Sequence, residues 1–269
     1  MRRRSLYLLF ALVVVAGFTT AILVLPSEFA AHWGTARQSP LHSAVLADDL
    51  PTVKSLLPKA PSGSASQQLF YARSAAMAEL LIASGASVHA RAHGNYTPLH
   101  FAAAIGATDV MQVLLKHGAD PNVINDGKVT PLMLGVGFGG DPDEGFEVKG
   151  VLKTDAQRLA ACSLLINAGA KVDVPDSGGE TALGYAAGQS GSVEIIKSLV
   201  MAGANVNSHT TDNVTPLHSA ARAGDYDTIR YLLQHGADPT VKEWQGKRPV
   251  DCLQATGPDA DKIRELLSK

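Results

Sequence analysis

A tetrapeptide that returns restricts this chain more than any other feature. Thr97-Pro98-Leu99-His100 recurs as Thr215-Pro216-Leu217-His218. Variants stand at Ser39-Pro40-Leu41-His42, Thr130-Pro131-Leu132-Met133, Thr181-Ala182-Leu183-Gly184 and Arg248-Pro249-Val250-Asp251. The copies at 97 and 130 begin 33 residues apart, those at 181 and 215 begin 34 apart, and those at 215 and 248 begin 33 apart. Threonine suits a helix N-cap and proline the first helical turn, so each copy opens a helix. In the fullest copy small residues carry the helix from Phe101 to Ile105 until Gly106 breaks it. A second helix follows with Val110, Val113, Leu114 and Leu115 on one face. Gly118 ends it, as a residue that tolerates a left-handed cap, before Ala119-Asp120-Pro121-Asn122. Gly236-Ala237-Asp238-Pro239 repeats that exit.

A helix pair this short leaves one face bare, and covering it takes neighbours of the same kind. In spacing and motif the stretch from about residue 37 to 269 resembles the ankyrin repeat. The resemblance implies an all-α solenoid of helix-turn-helix units joined by short hairpins, with about six repeats and a C-terminal cap over residues 39–269.

Two units depart from the pattern. The second is degenerate: Pro61 to Ser66 has the composition of a flexible connection, and Leu69-Phe70-Tyr71-Ala72 stands in for the opening. About one turn of its first helix is then missing. In the fourth unit the interval from Thr130 to Thr181 is 51 residues, so about 18 are inserted between its two helices, at about 140–157. The second helix resumes near Ala156-Gln157-Arg158. The insert is acidic and glycine-rich, holds one aromatic, Phe146, and is expected to loop away from the stack. Long loops in regular arrays are often functional, although closing a longer loop costs little. At the other end Pro249 to Leu267 forms a last helical pair, the cap.

Ahead of the repeats, Met1-Arg2-Arg3-Arg4 precedes Leu6 to Leu25, twenty residues without a charge. At ~1.5 Å per residue such a helix spans the ~30 Å hydrocarbon core of a bilayer. Residues 1–25 are therefore expected to be one N-terminal transmembrane helix, a signal-anchor, with residues 26–38 as a tether. The arginines place the N-terminus in the cytoplasm and the repeats across the inner membrane, in the periplasm of a bacterium. A cleaved signal sequence, releasing the repeats into the periplasm, is the alternative.

Formal net charge is −2, with no long run of one sign, so nothing favours nucleic acid. Cys162 and Cys252 fall in different repeats, too far apart for a disulfide. No phosphate loop, Cys-x-x-Cys pair or nucleophile elbow is present, so neither catalysis nor a cofactor is expected. His89 and His93 lie in a hairpin, where a spacing of four does not align two metal ligands. Asp141, Asp143 and Glu144 imitate the start of a calcium loop but lack its closing bidentate acid. Asn95-Tyr96-Thr97 and Asn213-Val214-Thr215 match a glycosylation acceptor, yet their threonines are the repeat's own helix caps.

The resemblance implies that His42, His100 and His218 hold the turn through backbone bonds. It also implies a protein partner held by hairpin tips and first helices. On this chain the tips are Asn95 and Tyr96, Asp126 and Lys128, Ser177 and Glu180, Asp212 and Asn213, and Trp244 and Gln245. The helix positions are Ile105, Phe138, Gln189 and Arg222. Tyr96, Ile105, Lys128, Phe138, Phe146, Asp212, Arg222 and Trp244 are the expected partner-binding residues. A non-enzymatic, membrane-tethered scaffold follows. The alternatives are an exported metal-dependent or enzymatic module using the insert, and, by family analogy, an accessory that protects an envelope redox enzyme.

Overall fold

Every first helix but that of the second repeat, which Gly63 precedes, begins where a side chain can satisfy a free amide of its opening turn. In this structure, a computed structural model that describes residues 39–137, 154–190, 193–254 and 258–268, Ser39 Oγ accepts from the His42 amide at 3.1 Å and Thr130 Oγ1 from that of Met133 at 3.3 Å. The first helices are α1 (Pro40–Leu46), α3 (Ser64–Leu69), α5 (Pro98–Ile105), α7 (Pro131–Val136), α9 (Ala182–Ala187) and α11 (Pro216–Ala223). Each is followed by a second helix: α2 (Leu50–Leu56), α4 (Ala75–Ala83), α6 (Thr108–Lys116), α8 (Asp155–Asn167), α10 (Val193–Met201) and α12 (Tyr226–Gln234). A 3-10 turn over Pro249–Cys252 and α13 (Pro258–Leu267) finish the array. Among the described residues every regular element is helical.

The helices stack in two rows. α5, α7, α9, α11 and the turn at Pro249–Cys252 pack in sequence along one side, and α2, α4, α6, α8, α10, α12 and α13 along the other. One leucine from each row recurs at the same register: Leu99, Leu132, Leu183 and Leu217 on the first helices, Leu114, Leu165, Leu199 and Leu232 on the second, none more than 1% exposed. Each fills the space between its own repeat and the next, so the core is a ribbon of interfaces along the stack. Gly118, at φ 88°, ends α6; a Cβ there would touch nothing within 4 Å, so the torsion alone requires glycine.

Two sequence expectations change. The segment taken as a connection after Pro61 is helix α3, and Leu69-Phe70-Tyr71-Ala72 closes that helix instead of opening it. Gly63, at φ 83°, turns the chain into α3, and Gln68, only 2% exposed, meets His42 Nδ1 through its Oε1 at 2.9 Å. A serine- and glutamine-rich helix held by a buried amide imitates a linker in composition. The last pair opens with a 3-10 turn of four residues in place of an α-helix. The expected membrane anchor, the tether and residues 140–153 of the insert, with its calcium-like acids, lie outside the described residues, whereas its end at 154–157 is the cap and first turn of α8; among the described residues no helix is long and apolar enough to cross a membrane. Cys162 and Cys252 are both buried and unpaired, and burial pushes the Cys162 thiol up to about 12.

Leu114→Ala is expected to lower stability by about 2–5 kcal/mol in urea denaturation, because the hole opens between α6 and its neighbours. Met201→Ser, at a side chain 84% exposed, is expected to stay within about 0.5 kcal/mol of the parent chain.

Candidate partner-binding surface

Between one repeat and the next the chain makes a hairpin, and three devices recur along the array. The turn needs one left-handed residue: Asn95 (φ 59°), Lys128 (59°), Gly179 (82°), Asn213 (61°) and Gly246 (77°) occupy that position. Three residues before it, in all of these hairpins but the first, where Ala92 stands, a polar side chain closes the loop. Asn125 Oδ1 accepts the Val129 amide at 2.7 Å, Asp176 Oδ1 that of Glu180 at 2.9 Å, Thr210 Oγ1 that of Val214 at 3.1 Å and Glu243 Oε1 that of Lys247 at 3.2 Å. The tips then join one another through backbone bonds. Asp126 N–H donates to Gly94 O at 3.0 Å, Ser177 to Gly127 at 2.9 Å, Thr211 to Gly178 at 2.8 Å and Trp244 to Asp212 at 2.9 Å. One ladder thus runs along the tips from residue 94 to residue 244. Nearer the helices, Asn122 accepts from Lys171 N–H at 2.7 Å and donates to Gly169 O at 3.0 Å, and Asn207 does the same with Asp238 and Gly236.

The motif histidines tie this surface to the helices. His100 Nδ1 lies 3.1 Å from the Thr97 amide and 2.9 Å from its hydroxyl, while Nε2 lies 3.0 Å from Val129 O in the next repeat. A carbonyl only accepts and an amide only donates, so the proton sits on Nε2. His218 repeats this with Thr215 and Lys247 O. His42 departs from the expectation, since its Nδ1 meets the Gln68 side chain instead of a backbone group. Burial pushes His100 down to about 4, and lowers His218 in the same direction.

A family model described as ankyrin repeats in three copies matches residues 154–243, and a single ankyrin repeat matches residues 94–126. The chain carries ankyrin repeats. It is 29% identical over 161 residues to "Putative palmitoyltransferase ZDHHC13" of Danio rerio, across 60% of this chain and 22% of that one. It is 29% identical over 210 residues to "NF-kappa-B inhibitor zeta" of Bos taurus, across 70% and 29%. To "Ankyrin repeat and SOCS box protein 16" of Mus musculus it is 32% identical over 199 residues, across 65% and 44%. The chain spans less than half the length of each of these relatives.

In this ankyrin array the expected partner-binding residues fall into three groups. Lys128, Asp212 and Trp244 stand exposed on the tip ladder, Trp244 at 68%, and Arg222 is exposed in the last turn of α11. Ile105 is half-buried at the end of α5. Tyr96 is a correction: only 1% exposed, it packs edge-on against His100 and Phe101 and has no face to offer a partner. It occupies the register of Val129, an inward position that the tip mapping overlooked. Phe138 and Phe146 lie outside the described residues.

The formal glycosylation asparagines are engaged in the tips, Asn95 Nδ2 with Asp126 at 2.5 Å and Asn213 Nδ2 with Lys242 O at 2.7 Å. Among the described residues no group of three metal-ligating side chains converges. Asp176 and Tyr185, whose hydroxyl donates to Asp176 Oδ2, are absent from the residues expected at this surface. No local motif marks a bond that joins a hairpin to a helix nine residues on.

The buried imidazoles fix a pH dependence. His100 in the folded chain binds its proton well below the ordinary 6.5, so its share of stability is whole above that pH and is lost as pH falls toward 4. Urea denaturation from pH 7 to pH 4 is expected to show a loss of up to roughly 3 kcal/mol from this residue, absent in His100→Gln.

Proposed function

We propose that this chain is a non-enzymatic ankyrin scaffold that holds a protein partner against its hairpin tips and first helices. Ankyrin repeats are protein-interaction repeats, generally without catalytic activity of their own. The tip ladder carries the reading: backbone bonds from residue 94 to residue 244 fix Lys128, Asp212 and Trp244 in one row before any partner arrives. A row already ordered gives up little conformational freedom on binding. Trp244, large, aromatic and 68% exposed, is the anchor, because a tryptophan loses the most contact area when truncated.

The uncharged stretch Leu6 to Leu25, behind Arg2, Arg3 and Arg4, supports a membrane anchor with the N-terminus in the cytoplasm and the repeats on the far side of the membrane. In a bacterium that places the partner in the periplasm. The named activities of the relatives are not transferred to this chain, since the match covers only 22% of the palmitoyltransferase.

Crosslinking of the full chain in intact cells, followed by mass spectrometry, identifies the partner. Trp244→Ala is expected to weaken capture of that protein about tenfold or more, and Met201→Ala to leave it unchanged. Equal capture by both variants would sink the proposed surface. Protease added to spheroplasts is expected to degrade the repeats; their protection would reverse the proposed orientation.

A further inference from the structure

The first amide of each well-formed repeat needs an acceptor, and the residue three places on supplies it. Thr97 N–H meets His100 Nδ1 at 3.1 Å, Thr130 N–H meets Met133 Sδ at 3.5 Å, Thr215 N–H meets His218 Nδ1 at 3.2 Å and Arg248 N–H meets Asp251 Oδ2 at 3.0 Å. In the fifth repeat that residue is Gly184, which has no side chain. The acceptor comes from the other direction: Glu180 Oε1 lies 3.4 Å from Thr181 N. A Cβ on residue 184 would stand 1.7 Å from that oxygen and 2.6 Å from the carboxyl carbon. The carboxyl therefore occupies the room that an imidazole fills elsewhere. Equivalent positions to Glu180 hold Tyr96, Val129, Val214 and Lys247, none of them acidic.

We propose that Glu180 is a proton-operated latch on the fifth repeat: protonated, its carboxyl closes the turn over Gly184; ionised, it leaves for water and the Thr181 amide loses its acceptor. The latch goes beyond the scaffold reading and does not depend on the partner. Its geometry suits a movable group. The side chain is half-buried, Gly184 offers nothing to hold it, and the imidazole bridge that ties His100 to Val129 O and His218 to Lys247 O has no counterpart from residue 184. Thr181 Oγ1 reaches Ser208 Oγ across the same junction at 3.1 Å, a neutral bond that does not titrate in this range. The turn concerned also carries Ser177, whose amide makes the tip bond to Gly127 O.

Two charged groups act on Glu180. Asp176, on its own hairpin and engaged by the Tyr185 hydroxyl from α9, opposes ionisation, and Arg222, from α11, favours it. Burial is the larger effect and, against the Thr181 amide, pushes the carboxyl up to about 7 from the ordinary 4.5. The folded chain thus keeps a proton that the unfolded chain has released. This contribution to stability is whole below 4.5 and is lost as pH rises through 7. His100 acts in the opposite sense, so only a comparison between variants isolates the latch.

The test uses the full chain, with Glu180→Gln as a permanently neutral carboxamide and the double variant Glu180→Val, Gly184→His as a copy of the valine and imidazole seen in neighbouring repeats. Unfolding in urea and hydrogen exchange at the Thr181 and Gly184 amides are followed from pH 5 to pH 8, every comparison made at one pH. Relative to Glu180→Gln, the folding constant of the parent chain is expected to fall by up to about tenfold per pH unit between pH 5 and pH 7 and then level off. Above pH 7 its Thr181 amide is expected to exchange faster than in either variant. Parallel stability profiles, or equal Thr181 exchange in all three chains at pH 8, overturn the latch. If the glutamine variant fails to fold, Glu180→Val alone, which adds no titrating group, supplies the same comparison.

Discussion

The array depends on giving each helix-opening amide an acceptor, and at His100 and His218 that acceptor also reaches the next repeat. His100 does both with one ring, accepting from Thr97 at Nδ1 and donating to Val129 O at Nε2. A buried N–H or carbonyl left without a partner costs ~1–3 kcal/mol, more than an average satisfied bond contributes. The imidazole therefore couples two decisions, where a helix starts and where its neighbour's hairpin lies. It does so only when neutral, since the protonated ring has no acceptor for Thr97. Burial that disfavours the charged form and hydrogen bonding that requires the neutral one act together.

Around that polar coupling the apolar contacts are unspecific in direction. The leucines at 99, 132, 183 and 217, and those at 114, 165, 199 and 232, drive stacking but would tolerate some sliding of one repeat on the next. Register comes from directional bonds: the asparagine clamps at Asn122 and Asn207, the loop-closing side chains at Asn125, Asp176, Thr210 and Glu243, and the backbone bonds between tips. The result is a surface whose residue spacing is set by the period of the stack and not by loop chemistry.

Much of this was legible in the letters, for a physical reason. Thr-Pro at a helix start and Gly at its end act locally, so Thr97, Thr215, Gly118 and Gly236 mark boundaries without knowledge of the rest of the chain. The hairpin tips were placed by counting from those marks. What counting could not supply was the direction of a side chain. Tyr96 and Glu180 sit at one register position, inward, although counting along the hairpins places them at the tips. Helix α3 was hidden because its anchor is a buried glutamine bonded to a histidine 26 residues away. Asp176 and Tyr185 were hidden because the bond joins a hairpin to a helix nine residues on, a distance no local motif marks.

The fourth repeat reveals how such an array admits an insertion. In a regular unit the short turn between first and second helix holds them together, and lengthening it should let them part. Here α7 and α8 remain packed on each other although 18 residues separate Val136 from Asp155. α8 is 13 residues long against 9 for α6, and the extra turn at its start brings Arg158 against the end of α7. Its Nε donates to Val136 O at 2.9 Å and its Nη1 pairs with Asp155 at 2.9 Å, so a side chain caps the first helix from the second. Gly137, at φ 125°, gives the guanidinium its room, since a Cβ there would come within 3.3 Å of Nε. The join between the two helices has moved from the connecting chain to a long-range bond. Once that bond carries the geometry, the length of the connection no longer affects the stack.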